Sequence, residues 1–126
     1  METTIIRFAQ LYSAEFLERL SIGSLHGDLT PEEVNKAREL WNISDSMASV
    51  LLVNMQSLAV AVHVASLDDE TGYFDGKKLQ DLTLYLAEKL EELQELQYVA
   101  GETLSAIKRY ELEQACSNQI GGVNHV

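Results

Sequence analysis

Four sets of residues in this sequence carry side chains able to do chemistry. Ser24, His26 and Asp28 alternate in a short polar stretch and supply the residue types of a nucleophile, a base and an orienting carboxylate. A triad is a geometry in space, which alternation along a chain does not create; the stretch reads as a polar loop. Asp68, Asp69, Glu70 and Asp75 crowd carboxylates into one connection, the ligand type a hard cation such as calcium takes. Tyr73 and Phe74 fall where a calcium loop needs its turn glycine, and no glutamate occupies the closing position, so a solvated connection is expected. His63 has no second histidine or cysteine near it in sequence. A lone histidine on an apolar helix is expected to be hydrogen-bonded in a core or interface rather than to hold a metal, where it would make an interface pH-sensitive. Cys116 is the single cysteine; no internal disulfide can form, and a plain thiol near a helix end is expected. The chain has no glycine-rich phosphate loop, no HExxH and no paired-cysteine motif. It therefore predicts no catalytic residue, no metal ligand and no cofactor.

Charge narrows the partners. The formal net charge is −11. Residues 1–63 hold eight acids and four bases, for −4, and residues 64–126 hold twelve acids and five bases, for −7. Nucleic acid and anionic membrane surfaces would repel such a chain, whereas a basic protein would attract it. Thr30 to Leu52 superficially resembles a helix-turn-helix, with a turn at Asn42, Ile43 and Ser44. However, Trp41 stands where that turn usually has glycine, and the would-be recognition helix has no Lys or Arg, so phosphate contact is missing. The lone cysteine fits a reducing compartment. The N-terminus has no basic region followed by an apolar run, so no secretory signal is expected. These features predict a cytoplasmic protein with no direct nucleic-acid binding.

The elements that must position these residues are helical. Pro31 is the only proline, and 46% of residues are hydrophobic, which favours helices around a real core over a sandwich or barrel. Ile5, Phe8, Tyr12, Phe16 and Leu20 recur at helical spacing and predict one helix over 4–21. Residues 21–29, with two glycines, read as a loop. Thr30, Pro31, Glu32 and Glu33 form a helix start with a capping box, and that helix is expected to break or kink at 42–45, with Ser44 capping the next. Leu79, Leu82, Leu86, Leu90 and Leu93 mark a helix over 77–100. Gly101 either ends it or is tolerated at about 1 kcal/mol; in the first case Thr103 caps a further helix. A single domain over 1–116 and a flexible tail over 117–126 are expected.

Residues 46–67 contain no charge at all. A helix of that length is about 33 Å long and, being apolar over most of its circumference, needs neighbours on several sides. Ser49, Gln56 and His63 form a narrow polar stripe at spacing seven, and Ser57, Ala61 and Ala65 a row of small residues at spacing four. Length also permits a membrane span, although Asn54, Gln56 and Ser57 would sit at mid-bilayer and no basic cluster flanks the run. The expected fold is all-α: an antiparallel bundle of four or five helices around this segment, completed by a homodimer through Val50, Val53, Ser57, Leu58, Ala61 and Ala65. The expected function is protein binding without catalysis. An inhibitor or an antitoxin-like or anti-defence factor would use an acidic face made of Asp68, Asp69, Glu70, Asp75, Glu88, Glu91, Glu92 and Glu95. A structural or scaffold subunit is the alternative, with a small transcription regulator behind it.

Overall fold

The computed structural model describes residues 2–67 and 76–124, and the side-chain surroundings of 4–67 and 76–118. The protein is all-α. Its helices are α1 (Glu2–Leu11), α2 (Ala14–His26), α3 (Pro31–Leu67) and α4 (Gly76–Asn124), with no strand among the described residues. The chain divides into two compact units, Met1–Asp45 with Tyr98–Val126, and Ser46–Gln97.

In the first unit the expected helix over 4–21 is two helices. Ser13 adopts an extended backbone (φ −153°, ψ 151°), and its hydroxyl accepts the Phe16 N–H at 3.0 Å. A serine that caps the next turn in this way ends one helix and starts another. Tyr12 and Phe16 keep their helical spacing across the junction, which is why periodicity alone missed it. The loop expected over 21–29 is shorter than read, because α2 continues to His26 and stops at Gly27, whose φ of 67° is left-handed. The N–H groups of Gly27 and Asp28 both return to the Gly23 carbonyl, closing the helix end. Gly23 itself lies buried within α2, where a Cβ would stand 2.4 Å from Leu29 Cδ2.

The start of α3 follows expectation. Thr30 N–H donates to Glu33 Oε1 at 2.9 Å, and Glu33 N–H donates to Thr30 Oγ1 at 3.1 Å, the reciprocal pair of a capping box. Arg19 reaches across from α2. Its Nε donates to Glu33 Oε2 at 2.7 Å, and its other nitrogens reach Glu33 Oε1 and both the carboxylate and carbonyl of Asp28. The core beneath draws on every helix: Leu11, Phe16, Leu20, Val34, Leu40 and Val99 are buried together, with Ala106 and Ile107 from α4. Trp41, Tyr12 and Tyr110 pack on its edge.

The expected break in the first long helix is absent, and of the two alternatives open at Gly101 the helix takes the continuous one. Through 42–45 α3 is continuous, and Ser44 does not cap: its buried hydroxyl donates to the carbonyls of Leu40 at 2.8 Å and Trp41 at 3.2 Å. A serine satisfied inside its own helix removes the need for a break. Likewise α4 passes through Gly101 to Asn124. Thr103 is buried and donates to Val99 and Ala100 carbonyls at 2.9 and 3.0 Å, so it starts no new helix. The turn required by a helix-turn-helix is absent from α3.

The second unit joins residues 46–67 of α3 to 76–97 of α4 through a connection outside the described residues. On α3 a row at Ala48, Leu51, Met55, Leu58 and Val62 is buried or half-buried, and on α4 a row at Leu82, Leu86, Lys89, Leu93 and Leu96. Both advance in steps of three and four, the spacing with which two helices present seams to one another.

Candidate functional site

The triad residues are not assembled. Ser24 donates its hydroxyl proton to the Ser21 carbonyl at 3.0 Å, His26 is exposed in the last turn of α2, and Asp28 accepts from Arg19. His63 is exposed on α3, and the Ser66 hydroxyl donates to its carbonyl. Cys116 is exposed beside Leu112, Glu113 and Ser117 on successive turns of α4. No group of three or more metal-ligating side chains occurs among the described residues. Asp68, Asp69, Glu70 and Asp75 lie outside them.

What the second unit does carry is two outer faces of contrasting chemistry. Opposite its half-buried row, α3 presents Val50, Val53, Val60, Val64 and Leu67, each between 43% and 72% exposed. With Ser57 between them these positions again step by three and four, so they form one stripe along the side turned away from the seam. Exposed apolar residues scattered singly are ordinary; here they are aligned along one side of the helix. Of the residues assigned to an interface from sequence, Val50, Val53, Ser57, Ala61 and Ala65 are exposed, while Leu58 belongs to the half-buried row. Val60, Val64 and Leu67, which the sequence did not single out, are exposed on the same side. Continuous apolar sequence hides which residues face out, and only burial separates the two stripes.

The outer side of α4 is acidic. Glu88, Glu91, Glu92 and Glu95 are all exposed there. Lys89 Nζ lies 3.2 Å from Glu92 Oε2 and 5.5 Å from the Tyr85 ring centroid. The Glu92 carboxylate raises the Lys89 pKa. Glu88, Glu91 and Glu95 have no ion-pair partner among the described residues.

The strongest electrostatic perturbations lie in the first unit and serve structure. The Arg19 guanidinium, helped by the Thr30 N–H, pulls the Glu33 carboxyl down to about 2. Arg7 forks onto Glu39, with Nη2 to Oε2 at 2.7 Å, and lowers that carboxyl as well. Each of these carboxylates ties a cationic side chain to a helix start or a neighbouring helix. No protein-family model matches this chain, and no curated protein or solved structure is significantly similar to it.

Proposed function

We propose that this chain is a non-enzymatic binding protein. It forms an antiparallel helical bundle in the cytoplasm and pairs with a second copy of itself through the outer stripe of α3. It meets a basic protein partner through the acidic face of α4, as an inhibitor or an antitoxin-like or anti-defence factor does. The observation that supports this reading is the opposition of the two faces on one unit. Val50, Val53, Val60, Val64 and Leu67 are exposed on a segment without charge, and Glu88, Glu91, Glu92 and Glu95 are exposed on the other helix. A chain of net charge −11 can associate with itself only where its acids stay apart. The α3 face meets that condition, because pairing it buries apolar surface while the carboxylates point outward. A hydrophobic stripe of this kind, paired across a two-fold axis, is the usual route to a homodimer.

The same stretch supports a second reading. The window within Pro31–Leu67 has a mean hydropathy of 1.8 and is long enough to cross a membrane. Against it, residues 46–67 share a compact unit with a segment of α4 that bears Lys77, Lys78, Asp81, Glu88, Lys89, Glu91, Glu92 and Glu95. Inserting the first would separate it from the second or drag charges into hydrocarbon. Light scattering with mass determination in detergent-free buffer separates the readings. A soluble dimer supports the proposal, and a chain that disperses only in detergent supports the membrane.

A further inference from the structure

A cavity of about 330 Å³ opens on the first unit, lined by Tyr12, Tyr98, Glu18 and Glu102 together with Ala14 and Leu17. Tyr98 is 60% exposed, and Glu102 follows it by one turn of α4. Neither Glu18 nor Glu102 is in an ion pair among the described residues. This contrasts with Glu33 and Glu39 of the same unit, whose arginines are in place.

The lining has one chemical preference. The exposed Tyr98 ring presents a negative face that attracts cations, the Tyr12 ring being already stacked on Phe8 at 5.3 Å between centroids, and two carboxylates add full charges of the same sign. Ala14 and Leu17 offer apolar surface on which an alkyl stem can lie while its charged head stays among the carboxylates. The volume is at the small end of ligand-binding clefts, enough for one long side chain. A planar guanidinium uses both features at once, stacking on a ring while forking onto a carboxylate, which an ammonium does not.

We infer that this cavity takes an arginine side chain presented by the basic protein partner. The inference rests on the proposed function only for the nature of that partner. It adds a second contact point, on a different unit from the acidic face of α4.

The full chain, titrated with N-acetyl-arginine amide and followed by NMR, tests it. Saturable binding centred on Tyr12, Tyr98 and Glu102 is expected, at least five-fold tighter than for the uncharged citrulline analogue. Tyr98→Ala and Glu102→Gln should each weaken it at least five-fold with helicity unchanged, while Tyr98→Phe retains it. Equal binding of the citrulline analogue, unaltered binding by the variants, or shifts spread over residues 88–95 would overturn the inference. So would spermidine occupying the cavity more tightly than the arginine amide, which would make it a small-amine site. The titration requires neither a dimer nor Glu88, Glu91, Glu92 and Glu95. Its failure therefore leaves the proposed function standing, and failure of that function leaves the titration readable.

Discussion

Glu33 concentrates several local effects in one carboxylate. It closes the capping box on Thr30 and receives the Arg19 fork, so its pKa falls from an ordinary 4.5 to about 2. A carboxyl lowered on folding stabilises the native state fully above its unfolded pKa, and that contribution fades as pH drops toward the folded value. The window here is pH 4.5 down to about 2. Glu33→Gln should lower stability at pH 7 and flatten the acid limb across that window, read from urea midpoints at successive pH values. An acid limb as steep as the parent's would remove Glu33 from the account. Gly101 makes the opposite prediction. It sits exposed inside α4, with nothing within 4 Å of where a Cβ would stand. Gly101→Ala should therefore raise stability by about 0.5–1 kcal/mol and the melting temperature by a few degrees. The capping box was legible from Thr30 and Glu33 alone, because its partners lie three residues apart. The Arg19 fork was not, because nothing local tells an arginine on α2 that a carboxylate 14 residues away will face it.

At the scale of elements, the sequence identified helical segments better than it identified their ends. Polar residues at 42–45 suggest an interruption, and Gly101 leaves open whether its helix ends there or tolerates it inside. In the structure Ser44 and Thr103 satisfy their hydroxyls on carbonyls of their own helix, so burial costs them no hydrogen bond and the helices continue. Conversely, the true break at Ser13 lay inside an unbroken apolar pattern. Continuity of α3 has a direct test. Asn42 is exposed in mid-helix, so Asn42→Pro should remove a backbone hydrogen bond and cost about 3 kcal/mol or more. If a new helix instead began at Ser44, the same proline would precede its cap, and chemical denaturation would show almost no loss. The apolar character of 46–67 was evident in sequence, but its two stripes were not. A segment that is Val, Leu, Met and Ala nearly throughout gives no contrast between faces.

For the whole molecule, charge and apolar surface predict two separable kinds of association. Binding to a basic partner through α4 should weaken with salt, since exposed charges more than about 10 Å apart are screened at 0.1 M. Replacing Glu88, Glu91, Glu92 and Glu95 by Gln should reduce capture of a basic protein while circular dichroism stays unchanged; binding indifferent to both salt and substitution would reduce the acidic face to a solubilising surface. Self-association should instead persist in salt, because the α3 stripe has no charge to screen. Val53 and Val60 are 57% and 63% exposed in the single chain, so charging them disturbs no core. The most direct measurement is therefore sedimentation equilibrium of the parent chain and of a Val53→Glu/Val60→Glu variant, both at micromolar concentration without detergent. The account predicts twice the chain mass of 14.1 kDa for the parent and a folded monomer for the variant; a parent that sediments as a monomer, or a variant that still pairs, would contradict it.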